Sequence, residues 1–157
     1  MSSADHLPSL DLHLGFRFGV FFFAGGLAPN PIDIRFQRVK GLSATVRTAP
    51  VVEGGENLYT QQLPVGVEYG NLVLERGMVL GSPLLDIDFQ GAMTLFRFAT
   101  CNVLVTLFNA SRLPVSAWLF SRAYPVRWST SDLDASEQKL LIDTLELSYA
   151  RMQIVRV

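Results

Sequence analysis

The amino-acid sequence predicts a mainly β domain of about seven strands with one short helix, closed as a barrel or packed as a sandwich. Three observations carry that expectation. Residues alternate with a period of two along 15–23, 42–46 and 100–108, the period of a strand, and further strand-like runs follow at 114–120 and 123–128. Glycine and proline clusters separate several of these runs and supply the conformations that reverse a chain. The 157 residues are 49% apolar and only 17% charged, with 11 Phe. One folded domain is therefore expected, with less polar covering than the roughly 25% charge usual for soluble domains. That shortfall points to a subunit of an assembly.

Taken in order, residues 1–13 are polar and mixed, hold Pro8 and read as a flexible N-terminal arm; residues 14–157 form the domain. Residues 14–28 look like the apolar core of an export signal. Asp5, His6 and Asp11 precede them with no Lys or Arg, however, and Arg17 interrupts the run. Neither a signal nor a membrane span is expected. Instead Phe16, Phe18, Val20 and Phe22 alternate with Arg17, Gly19, Phe21 and Phe23 as a first strand. Gly25, Gly26, Pro29, Asn30 and Pro31 then form a long hairpin loop into a second strand through Ile32, Ile34, Phe36 and Val39. Leu42, Ala44 and Val46 resume it after a bend at Gly41.

Residues 50–66 read as a long exposed loop carrying Glu53, Gly54, Gly55, Glu56 and Asn57, and loops of that length inside compact domains are usually functional. Val67, Tyr69, Leu72 and Leu74 lead a third strand to Arg76 and Gly77. Ser82 and Pro83 suit the cap and first position of a short helix, with Asp86 and Asp88 in its early turns. Strands follow at 100–108, 114–120 and 123–128, the last two divided by Ser121 and Arg122. Residues 137–157 fit either a helix, slightly favoured by propensity, or a strand with Leu141, Asp143, Leu145, Leu147 and Tyr149 on one face.

Chemistry is sparse. Thirteen Lys and Arg against fourteen Asp and Glu give no field for a polyanion or an anionic bilayer, so no specific nucleic-acid binding is expected. His6 and His13 lie in the arm, and the pairs Asp86 with Asp88 and Asp132 with Asp134 lack a third ligand. Cys101 sits in an apolar strand as an inert thiol. No serine elbow exists, and Gly54 and Gly55 are followed by Glu56 rather than by the Lys of a phosphate loop. No catalytic, cofactor or metal residue is expected, and no enzyme. The apolar surplus then belongs to second strand faces and open edges, which a ring of subunits would bury. The alternative is a small β-barrel that binds an apolar ligand, suggested by the aromatic first strand.

One ordered series of short motifs sharpens this. Phe16, Arg17 and Phe18 are followed by Lys40, Gly41 and Leu42, then by Glu53 to Asn57 and by Leu74, Glu75, Arg76 and Gly77. Ala123, Tyr124, Pro125, Val126, Arg127 and Trp128 come next, then Ser131, Asp132, Leu133 and Asp134, and last Thr144, Leu145, Glu146 and Leu147. The series resembles the tail tube protein family of contractile phages and phage-derived extracellular contractile injection systems.

The resemblance implies a β-barrel-like fold shared with the haemolysin-coregulated protein of type VI secretion. It also implies homo-hexameric rings stacked into a hollow tube for DNA or protein cargo, with sheath and baseplate or hub proteins as partners. Assembly would occur in the bacterial cytoplasm, and the particle would be a phage tail or an extracellular injection machine. By this likeness Glu53, Gly54, Gly55, Glu56 and Asn57 form an inter-ring contact loop. Arg76, Gly77, Pro125, Trp128, Asp132 and Leu133 are family motif positions, the outer helix follows Ser82, and the last segment is a strand. Val65, the insertion at residues 25–31 and the absence of tryptophan at Ile87 or Phe89 depart from the pattern. They leave room for a specialised ring that starts the tube at the baseplate.

Overall fold

The computed structural model describes residues 17–23, 36–55, 58–77, 90–132, 136 and 142–156. Nine strands and one helix are defined among them: β1 (Arg17–Phe23), β2 (Arg38–Lys40), β3 (Ala44–Val51), β4 (Gln61–Tyr69), β5 (Leu72–Gly77), α1 (Gln90–Leu95), β6 (Cys101–Phe108), β7 (Pro114–Thr130), β8 (Ile142–Ser148) and β9 (Arg151–Arg156). Seven of the strands join in the order β1-β6-β7-β8-β5-β2 with β9 also on β7, and β3 pairs β4 separately. All pairings are antiparallel.

Two kinked ribbons build this architecture. The first is β7 against β8 and β9. Tyr124 lies opposite Ser148 and Ser121 opposite Arg151, the same offset on both sides of the break. The Ala150 N–H donates to the Ser121 carbonyl at 3.0 Å and carries the ladder through the corner. Arg122, in a left-handed conformation with φ 54°, lies in β7 beside this corner. One end of β7 thus sits in a layer with β1, β6 and β9, and the other in a layer with β8, β5 and β2.

The second ribbon is β2 and β3 against β4 and β5. Val39 faces Leu74 and Val46 faces Val67, again at one offset across the break. Here the kink is at Gly41, whose φ is +84°. A Cβ on Gly41 would stand 1.9 Å from the Asn71 carbonyl oxygen, so a close backbone crossing and a left-handed turn both require glycine. Beyond the kink β3 and β4 leave the sheet as a projecting arm about 25 Å long at ~3.3 Å per residue.

The core lies between the two layers. In register, Val20, Val105 and Trp118 form one row and Phe22, Val103 and Phe120 the next. Leu72, Leu74, Leu145 and Leu147 face them from the other layer. Phe120, Leu72, Leu74, Val20, Val103 and Val105 are fully buried, each contributing about 1.5–3 kcal/mol through removal from water. Tyr149, at the corner between β8 and β9, packs edge-on against Phe120 at 4.7 Å and tilted against Tyr69 at 5.6 Å. Its ring thereby connects one layer to the root of the arm.

Several expectations are corrected. Among the described residues the first strand pairs with β6 and β2 pairs with β5; the loop and the start of the second strand of the expected first hairpin, residues 24–35, lie outside the described residues. The exposed stretch 50–66 is strand at both ends, because β3 runs to Val51 and β4 begins at Gln61; there the polar composition reflects two exposed faces rather than loop. Residues 114–120 and 123–128 fuse into one strand, since Ser121 and Arg122 bend the chain without ending the ladder. The final segment is two strands, with Asp143, Leu145, Leu147 and Tyr149 buried as the strand reading requires. The described helix covers Gln90–Leu95; its expected start at Ser82 and Pro83, the N-terminal arm and the insertion at 25–31 lie outside the described residues.

Gly41→Ala is expected to lose about 2 kcal/mol or more, from the left-handed turn and the displaced Asn71 carbonyl. Gly66→Ala, whose Cβ meets only the Arg47 side chain at 3.4 Å, should stay within about 0.5 kcal/mol of the parent. Thermal melts compare the two.

Candidate functional site

The strand faces turned away from the core differ sharply. On the layer of β1, β6, β7 and β9, one outward row is Phe21, Leu104, Leu119 and Gln153, and the next is Gly19, Thr106, Ala117 and Val155. This face is apolar. Gly19, Thr106 and Ala117 are buried beneath their neighbours, and a Cβ on Gly19 would meet the Phe21 and Phe108 rings at 3.1–3.3 Å. Val115 and Val155 remain 48% and 41% exposed.

The outward rows of the other layer are Arg38, Glu75, Thr144 and Ser129, then Lys40, Val73, Glu146 and Arg127. These charges are internally matched. Arg38 lies 3.3 Å from Glu75, Lys40 donates to the other Glu75 oxygen, and Asn71 donates to Glu146 at 2.7 Å. The Glu75 carboxyl is held below its ordinary value by the Lys40 hydrogen bond first, and by attraction to Lys40 and Arg38, against the opposing effect of burial.

The arm is covered on neither face. Val46, Leu63, Val65 and Val67 are about half exposed on it, and Val52, Leu58 and Tyr59 near its tip are more so. A two-stranded ribbon alone is marginally stable in water. Apolar faces on a projecting ribbon are a surface prepared for another chain. Of the expected contact loop, Glu53 is exposed and Gly54 and Gly55 form the turn, with Gly55 at φ +106°. Glu56 and Asn57 lie outside the described residues.

The described motif positions lie on β5, β7 and just past β7, from the kink to the far end of the second ribbon. Arg76 and Gly77 end β5 opposite Asp143 and Ile142. Arg76 is buried, its guanidinium 5.4 Å from the Phe36 ring centre. Asp143 is buried too and accepts from the Thr130 hydroxyl at 2.8 Å. Trp128 lies opposite Leu145 in β7, Pro125 lies opposite Leu147 beside a bulge, and Asp132 is exposed just past the strand. Leu133 is outside the described residues. The fold thus separates the tip residues from the described motif positions by at least the length of the arm.

Asp143 and Thr130 were not singled out by sequence, although Asp143 falls on the apolar face of its strand, where a charge needs a partner. An aromatic ladder was also missed. Phe96, 83% exposed and left-handed at φ 51°, stacks edge-on to Phe98, and Phe98 to Tyr124. Cys101 is partly buried against the core. Among the described residues no group of three or more His, Cys, Asp or Glu converges as metal ligands, and no helix is long and apolar enough to cross a membrane.

Because its folded-state pKa is depressed, Glu75 contributes stability above its ordinary value of 4.5 that is lost as pH falls through the folded value. Glu75→Gln should flatten the acid limb of a plot of Tm against pH while lowering Tm at neutral pH.

The chain resembles solved structures of known assemblies. It is 43% identical to a chain in the anti-feeding prophage baseplate, over 89% of this chain and 93% of that one, with a TM-score of 0.79. A chain in the extended sheath-tube complex of the extracellular contractile injection system PVC is 20% identical over the whole of both chains, with a TM-score of 0.76. An Hcp protein shares the fold at 13% identity and a TM-score of 0.55, over 86% of this chain and 89% of that one. No curated protein matches the chain significantly. The family described as T4-like virus tail tube protein gp19 matches residues 14–153, and the chain belongs to that tail tube family.

Proposed function

We propose that this tube protein forms homo-hexameric rings that stack into the hollow inner tube of a contractile injection particle, and that its ring is the one that starts the tube at the baseplate. The projecting arm carries the reading. A ribbon with apolar residues on uncovered faces gains its stability from other copies, and the apolar outward face of β1, β6, β7 and β9 offers a second surface to bury. Obligate interfaces are apolar in this way. The baseplate position is supported by 43% identity to a baseplate chain against 20% to a sheath-tube chain.

Family membership makes the chain a structural tube component rather than an enzyme. Sheath and hub proteins follow as partners from the assemblies in which its relatives stand, with assembly in the bacterial cytoplasm before the particle is released. The charge-matched face of β2, β5, β8 and β7 suits a wall along which DNA or protein cargo passes, because a basic wall would retain phosphates. The apolar-ligand reading loses its motive: Phe22 of the aromatic first strand packs into the core against Phe36, and Phe21 lies on the outward face.

Electron microscopy of the purified protein should show six-fold rings, and a strictly monomeric species at high concentration would overturn the proposal. The arm tip reaches the neighbouring ring. Gly55→Val, which cannot hold φ +106°, should leave rings intact but shorten stacks. Gly54→Val has open space around its Cβ and should stack normally; equal stack lengths for both variants would remove the inter-ring role of the tip.

A further inference from the structure

The two free edges of the arm are not equivalent. In the β3–β4 ladder Pro50 stands opposite Gln62 and Pro64 opposite Thr48. A proline has no N–H, so it fits a two-stranded ladder where the amide would point away from the partner. Both pairs fall on the same alternation of β3, which turns the backbone groups of Ala44, Val46 and Thr48 outward in one row. That row is open. It ends at Pro50 on the tip side and at the Gly41 kink on the root side.

The β4 edge has no such row. Arg47 pairs with Gly66 and Thr48 with Pro64, so Val65 is an extra, bulged residue, which interrupts the outward amides and twists the strand. Pro64 removes the next amide. Only Val67 and Tyr69 turn outward above the bulge, and Tyr69 is engaged with Tyr149.

Resting on the ring reading above, we propose that the arm pairs through its β3 edge alone, at Ala44, Val46 and Thr48, with a strand of a second copy of this chain. Pro64 and the bulged Val65 keep the β4 edge closed, so that the β3 edge of one arm does not zip to the β4 edge of another. The argument for a second copy is the arm's own composition. Val46 and Val67 are paired and both more than half exposed, so a strand added at β3 also brings neighbouring side chains over Val46. A device that closes one edge and leaves the other open is needed where identical arms meet at high local concentration. Pairing of this edge with a different strand of the second copy makes the contact head-to-tail, the kind that closes a ring.

Matched proline substitutions test the assignment. Val46→Pro removes one outward N–H of β3 without touching the β3–β4 ladder, and Val67→Pro does the same on β4. We expect Val46→Pro to keep the parent circular dichroism yet need about tenfold or more protein to assemble in sedimentation, one lost hydrogen bond per contact. Val67→Pro should assemble like the parent. Should Val46→Pro perturb the fold, Ala44→Pro probes the same row nearer the root with the same expectation. Parent-like assembly of both β3-edge variants, or equal loss in Val67→Pro, overturns the edge assignment while rings remain. A parent protein that stays monomeric overturns the ring reading and the pairing together. Pro64→Val should add disordered arm-to-arm aggregates to the ring population, and an unchanged population would remove the gatekeeping role.

Discussion

The molecule depends on backbone ladders that keep register while the chain turns a corner. In the ribbon of β7 with β8 and β9, the hydrogen bond from Ala150 to Ser121 holds the offset constant across the break. In the ribbon of β2 and β3 with β4 and β5, the crossing of Gly41 over Asn71 does the same. A slip of one residue in either ribbon would move every buried side chain to the outward face. Both corners are therefore tied to the core, the first through Tyr149 on Phe120 and the second through Tyr69 on Tyr149.

Function follows from what these corners expose. Bending the first ribbon encloses one core between two layers and leaves one outward face apolar and the other charged. Bending the second carries an arm away from the domain, so that its stability becomes a property of an assembly. Buried Arg76 and Asp143, with half-buried Thr130 bonded to Asp143, end the opposite side of the ribbon. Arg76 and Asp143 there are buried and lie opposite each other in the ladder, whereas Asp132 is exposed.

Much of the site was legible in the chain. Alternation at Val20, Phe22, Val103 and Val105 located the core, and Glu53, Gly54 and Gly55 marked the tip of the arm as a special segment. The arm's length was misjudged for a physical reason. Strands with both faces exposed carry Gln, Glu, Pro and Thr at positions that a half-buried strand fills with apolar residues, so β3 and β4 read as loop beyond Pro50.

By itself the sequence determined the fold class, the family and the absence of any recognisable catalytic constellation, because period-two patterning, turn residues and an ordered motif series are local properties. Only the tertiary structure decided that β1 joins β6, that β7 serves both layers, and that the last segment is two strands meeting at a corner rather than one. Those outcomes rest on contacts between residues far apart in the chain. Strand partners are chosen by which faces can be buried together, and a strand's own residues do not record its neighbour.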